Sequence, residues 1–408
     1  MAAVEQLAAS PIPPESEEPL PFHMEFEAPQ LEGGEKAIFG NRVVSQPDLE
    51  DKLREGVILA GVAPVSLWPL GNYFGLAGRS DQGMATLVLV DRRAPSEQAF
   101  LTTELPDPEI HWLTGWSGAI WVGVPAGVRV FIPRDATLDE SAFVGFDSWC
   151  APPECPPVPP RPPLWFGDDH LILPVSQGLL VALEVSREEN RITIREVWRT
   201  RLEGALASDL LRIEDQVGFL DTGGHLMGLD PSTGQVQNIG AGHLIHPPKG
   251  DLPPVALSGG KSCCLIRADE QVEVCILDAA AGSVLSRAPI PSGAPMGFVT
   301  VEEGAVLVTD QEIVFFEDPG LAIRWKYPLE GKTPRQFSVG DHEVSFLARD
   351  QDGRDLALVL GKNSGSELWQ VTTEEAGMSR LAGMRIETGW MLLWGEGEEG
   401  SGVLRLMD

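Results

Sequence analysis

Apolar residues in this chain gather into short runs, and each run closes on an acid, a proline or a glycine. "LVLVD" ends at Asp91, "VRVFIP" at Pro133, "LLVALE" at Glu184 and "LMGLD" at Asp230. "VCILD" ends at Asp278, "IVFFE" at Glu317, "LALVLG" at Gly361 and "VLRLMD" at Asp408. Runs this short, bounded by turn residues, read as buried β-strands. Successive end points lie 39 to 51 residues apart, so eight copies of one unit fill almost the whole chain. Most copies carry a partner strand just upstream: "AIWVGV", "HLILPV", "CCLIRA", "AVLVTD" and "VSFLAR". Few windows carry a helical period, and the best short helix candidate is "PDLEDKLRE", residues 47–55.

A unit of about 40–50 residues with four short strands is a propeller blade. One blade cannot cover its own two faces, so blades stack in a ring. The expectation is an all-β protein, a single eight-bladed β-propeller of four-stranded antiparallel blades. Copies two and three are irregular, which leaves seven blades as the alternative count. The last copy reaches Asp408 just after its third strand, and "KAIFGNRVVS", residues 36–45, has no partner in the first copy. That segment is expected to supply the missing fourth strand and close the ring, removing an open edge. Residues 36–408 then form the propeller and residues 1–35 a tail.

Within the fourth copy, Asp230-Pro231-Ser232-Thr233-Gly234 is a turn with a mechanism. Proline presets φ, Asp230 and Ser232 bond nearby backbone, and Gly234 takes φ > 0. This stretch resembles the quinoprotein (PQQ-like) propeller repeat, A-x-D-x-x-T-G-K-x-x-W, through Asp230, Thr233 and Gly234. Asp278 and Gly282 keep the same spacing. Eight residues past Glu317 stands Trp325, and eight past Gly361 stands Trp369. The resemblance covers roughly residues 215–370. It implies that Asp230, Gly234, Asp278, Gly282, Trp325 and Trp369 dock each blade on its neighbour. In quinoprotein alcohol dehydrogenases, adjacent cysteines form a disulfide over the cofactor; here Cys263 and Cys264 lie inside an apparent strand, where successive side chains point to opposite faces. By size and architecture the chain also resembles the propeller component encoded with bacterial MoxR-type AAA ATPases and von Willebrand A proteins.

Composition narrows the function. Gly 44 and Pro 34 suit many turns, and 43% hydrophobic residues suffice for a large core. Sixty acids against 30 bases give a net charge of −30, which argues against nucleic acid and anionic membrane as partners. The bases are 23 Arg and 7 Lys, the bias of a GC-rich bacterial gene. No signal peptide is evident and no apolar run approaches the roughly 20 residues of a membrane span, so a cytoplasmic location is expected. Five cysteines without framework spacing suit reduced thiols.

Residues 1–35 carry eight Glu and no Lys or Arg, and are expected to be disordered. Within them Phe22, Met24 and Phe26 alternate as in a strand able to dock on a partner. "APPECPPVPPRPP", residues 151–163, has eight prolines and reads as a stiff connector between blades.

No candidate for chemistry stands out. Asp350, Asp352 and Asp355 around Gly353 resemble a calcium loop, but Arg354 intrudes and no bidentate Glu follows at the proper distance. His243 and His246 lack a third ligand. No nucleophile elbow, phosphate loop or dinucleotide fingerprint is present. No catalytic residue, cofactor or metal site is therefore expected. The most distinctive surface is "RITIREVWRTR", the outer strand of the third blade. Strict alternation puts Arg191, Arg195, Arg199 and Arg201 on one face, opposite Ile192, Ile194 and Trp198. These arginines are the candidate partner-binding residues, for an acidic partner or the chain's own Glu-rich tail. The reading is a non-catalytic cytoplasmic scaffold for protein–protein interaction; the alternative is an enzyme or ligand-binding propeller with a site at the mouth of the central channel.

Overall fold

In the computed structural model, the third strand of each repeat is paired on both sides, and eight antiparallel sheets result. The structure describes residues 23–27 and 47–407 except 150–160, 240–254, 258–260, 279–282 and single residues or pairs elsewhere. Seven blades follow in chain order: 63–104, 112–145, 164–201, 211–238, 255–289, 295–328 and 333–372. Blade 8 is built from 380–407 together with Val57–Leu59. First strands of neighbouring blades touch one another around most of the ring, which places them at the centre and the fourth strands at the rim. Copies two and three form complete blades, so the count is eight and not seven.

Burial explains why the ring closes. The hydrophobic core divides into eight clusters, one for each interface between adjacent blades. The interface between blades 8 and 1 joins Leu392, Trp394, Leu404 and Leu406 to Leu67, Phe74, Leu76, Val88 and Val90. The Trp394 indole N–H donates to the Ala77 carbonyl across it, at 3.3 Å. In the irregular copies, aromatic rings supply the packing. Trp116 stacks on Trp165 with centroids 5.4 Å apart and planes 9° from parallel, tying blade 2 to blade 3.

The closing strand corrects the expectation. The edge of the last blade is covered by Val57–Leu59, with Val57 opposite Leu404 and Leu59 opposite Gly402. The place expected for 36–45 is thus taken by a later segment, and 36–45 itself lies outside the described residues. The helix α1, Pro47–Glu55, precedes this strand. It follows the expected window: Leu49 and Leu53, spaced i, i+4, are both buried in the closing interface. Acids in its first turn and bases in its last suit the helix dipole. Gly56, at φ +93°, turns the chain out of the helix into the strand. Arg405, on the last strand, donates to the carbonyls of Arg54 at 3.4 Å and Glu55 at 3.3 Å, and to Ala376 at 2.7 Å.

Part of the expected tail is a strand. His23–Glu27 pairs antiparallel with the outer strand of blade 3, Arg191–Arg201, and makes it five-stranded. Residues 1–22 and 28–46 lie outside the described residues, as do 151–160 of the Pro-rich connector, which stands between blades 2 and 3.

Candidate partner-binding surface

A repeated backbone irregularity sets the rim. In blades 3, 5, 6 and 7 the fourth strand carries one extra residue relative to the third: Val197, Leu285, Arg324 and Leu368. Such a bulge breaks the two-residue alternation, so side chains beyond it change faces. The residue after each bulge is Trp198, Ser286, Trp325 or Trp369. The bulge turns that position toward the next blade.

Docking is alike in two blades. The Trp198 indole N–H donates to the Pro231 carbonyl of blade 4 at 2.8 Å, and Thr200 Oγ1 donates to the Gly234 carbonyl at 2.7 Å. The Trp325 indole N–H donates to the Lys362 carbonyl of blade 7 at 2.6 Å. Pro231 and Lys362 hold the same place in their turns, three residues before a left-handed glycine: Gly234 at φ +71° and Gly365 at φ +65°. A Cβ on Gly234 would lie 2.7 Å from Trp198, and one on Gly365 2.6 Å from Trp325. Asp230 holds its turn by accepting from the Ser232 and Thr233 amides at 2.8 and 3.3 Å. Trp369 packs between blades 7 and 8. Asp278 ends the third strand of blade 5, and Gly282 lies outside the described residues. Counting by eights misses Trp198, because the hairpin of blade 3 is longer; it misses Gly365 because its turn begins with Gly361 where other copies have an acid.

The bulge at Val197 also divides the arginine stripe, correcting the single face expected from strict alternation. Ile192 and Ile194 pack toward blade 2, whereas Trp198 packs toward blade 4. Arg195 shares the blade 4 side with Glu184, to which its Nε donates at 2.9 Å. Arg199 falls on the other side, donating to Glu196 at 2.6 and 2.9 Å. Glu196 is buried and also accepts from the Trp149 indole N–H at 2.9 Å. Arg201 is exposed at the end of the strand. Arg191 lies at its start, opposite Glu188 in register.

Other pairs join the blades with alternating sign. Lys261 of blade 5 meets Asp318 of blade 6 at 3.0 Å, whereas Glu303 of blade 6 meets Lys362 of blade 7 at 3.1 Å.

The inner strands repeat a bulge too, at Val65, Met296, Arg335 and Ala382 in blades 1, 6, 7 and 8. Three of these are apolar, and Arg335 donates to Asp355 at 2.8 Å. Asp355, buried, also accepts from Arg349 Nε at 3.0 Å and from the Leu381 amide of blade 8 at 3.1 Å. It is thus a clamp between two blades. Asp350 caps its own turn, accepting from the Asp352 and Arg354 amides at 2.9 and 2.8 Å. Burial alone would raise the Asp355 carboxyl; the two arginines and the amide outweigh it and hold its pKa below the usual 3.8. A depressed folded-state pKa contributes stability above the unfolded value, and that contribution is lost as pH falls through the folded value. Asp355→Asn should therefore melt below the parent at pH 7. The difference should shrink as pH falls below about 4, through the depressed folded-state value. Thermal melts of both proteins across that range check it.

Cys263 and Cys264 are free and buried on opposite faces of their strand, Cys263 against blade 6 and Cys264 against blade 4. Cys264 stands opposite Cys275 in register. Burial pushes the Cys263 thiol up, and a hydrogen bond with Cys275 together with burial does the same to Cys264. This arrangement does not fit a disulfide between adjacent cysteines over a quinone. Among the described residues, no group of three or more His, Cys, Asp or Glu is placed to hold a metal. His243 and His246 lie outside them. No helix among the described residues is long and apolar enough to cross a membrane.

No protein-family model matches the chain, and no curated protein sequence matches it. Solved propellers are similar in fold. Sqt1 of Saccharomyces cerevisiae aligns over 86% of this chain and 98% of its own at TM-score 0.57 and 10% identity. The Dos1 propeller aligns over 86% and 93% at TM-score 0.56 and 11% identity. The dihydro-heme d1 dehydrogenase NirN aligns over 78% of this chain and 66% of its own at TM-score 0.54 and 12% identity. At such identities the likeness concerns the fold.

Proposed function

We propose that this chain is a non-catalytic cytoplasmic scaffold that binds protein partners through the rim of its propeller. The observation that carries the reading is the placement of exposed apolar side chains. Among the described residues eight large apolar side chains are exposed; six of them, Phe143, Val197, Leu285, Ile323, Leu368 and Ile58, sit on the fourth strand of a blade, and two, Val65 and Met296, on first strands. The six mark blades 2, 3, 5, 6, 7 and 8. Val197, Leu285 and Leu368 are bulge residues, held outward by the same irregularity that docks the blades. Exposed apolar residues recurring at the bulge of three fourth strands, with others on the same rim, suit contact with protein better than chance exposure. The strong negative charge supports the same choice by disfavouring nucleic acid. MoxR-type AAA ATPases and von Willebrand A proteins are the partners to test first. A photo-crosslinking residue at Leu285 or Leu368 in the native host should capture a protein partner, whereas one at Val65 or Met296 should not. Capture from the inner-strand positions alone, or ligand binding abolished by Val65→Glu or Met296→Glu, would favour a site at the channel mouth instead.

A further inference from the structure

Among the described residues, blade 3 is the one blade with a fifth strand. Its third and fourth strands, Leu179–Glu188 and Arg191–Arg201, are the longest among the described residues. Onto that edge the chain lays its own His23–Glu27, with Glu27 opposite Arg191, Glu25 opposite Thr193 and His23 opposite Arg195. Met24 and Phe26 stand opposite Ile194 and Ile192. The arm also touches the outer strand of blade 2, Thr137–Gly145. The described pairing spans Arg191 to Arg195, and the bulge at Val197 lies two residues further along the host strand.

We propose that the outer edge of blade 3 is a strand-docking site for an extended acidic segment of a protein partner, and that His23–Glu27 is its resident occupant, displaced when the partner binds. The inference rests on the rim being the binding surface and names one place and one ligand chemistry there. Three observations carry it. The edge is already occupied by a strand, so its backbone groups are open to a fifth strand and not blunted by a bulge over Arg191–Arg195. Glu27 stands opposite Arg191, and Glu25, opposite Thr193, falls between Arg191 and Arg195 in register, within the one arginine-rich stretch of a protein of net charge −30. Nineteen residues separate Glu27 from Pro47, so the arm remains tethered and covers the edge at high local concentration.

The test uses a fluorescein-labelled peptide of residues 20–30, LPFHMEFEAPQ, with the full chain and with a chain lacking residues 1–33. The shortened chain should bind the peptide saturably, and the full chain at least tenfold more weakly. Binding should weaken as salt rises from 50 to 300 mM. A peptide with Glu25→Lys and Glu27→Lys, or with Glu25→Pro, should fail to bind. A shortened chain that melts like the parent yet ignores the peptide overturns the proposal. Equal binding by the two chains, or indifference to charge reversal in the peptide, does so too. A full chain that is dimeric and becomes monomeric on truncation also overturns it, since the arm would then be exchanged between copies. Any of these failures leaves crosslinking at Leu285 and Leu368 unaffected.

Discussion

Deleting residues 1–60 is expected to unfold or aggregate the protein, whereas deleting residues 1–46 should leave its melting temperature near the parent's. The longer deletion removes α1 and the closing strand. Leu49, Leu53 and Val57 are buried there, and each contributes about 1.5–3 kcal/mol. It also bares Gly402–Met407 as an open edge and strips Arg405 of the carbonyls of Arg54 and Glu55. A domain's total stability is only about 5–15 kcal/mol, so the sum is of the same order. The shorter deletion removes the arm and residues 28–46 but keeps every element described at the closing interface. Thermal melts and gel filtration of the two proteins decide it. A severe effect from the shorter deletion would mean that closure depends on residues before Pro47. Leu49→Ala with Leu53→Ala tests the same interface by substitution, at about 2–5 kcal/mol each.

The repeat was legible because most third strands are buried on both faces, as at Ala85–Asp91, Glu312–Glu317 and Asp355–Gly361, which writes them as near-continuous apolar runs. From "LVLVD" at Asp91 to "VLRLMD" at Asp408, all eight runs are third strands. The helix was legible in Leu49 and Leu53. The closing strand was not, because Val57–Leu59 is three residues long and "KAIFGNRVVS" has the longer apolar pattern. Bulges were equally hidden. Nothing in "REVWRTR" marks Val197 as an extra residue, so alternation assigned Trp198 and Arg199 to the wrong faces. Pairs such as Lys261 with Asp318, 57 residues apart, depend on blade stacking, which no local pattern records. The rim followed from the bulges and was out of reach for the same reason.

Trp325→Ala should lower stability by about 3–5 kcal/mol, among the largest effects of any single substitution here. Trp325 is 7% exposed and packs against Phe315, with ring centroids 5.8 Å apart, between blades 6 and 7. Removing it opens a cavity in an interface on which the ring depends and leaves the Lys362 carbonyl without its donor. Trp325→Phe should recover most of the packing and lose about 1–2 kcal/mol through that carbonyl. Gly365 supplies a coupled test. Gly365→Ala incurs strain at φ +65° and sets a Cβ 2.6 Å from the indole. In the parent, both penalties apply, about 1–3 kcal/mol for each. With Trp325→Ala already present, the clash vanishes and the backbone strain alone remains. The double variant should therefore be more stable than the two single losses predict when added, by at least about 1 kcal/mol. Denaturant unfolding of the four proteins measures that coupling. Strict additivity would mean that the indole does not rest on the turn of the next blade, and the docking read from Trp198 on Gly234 would fall with it.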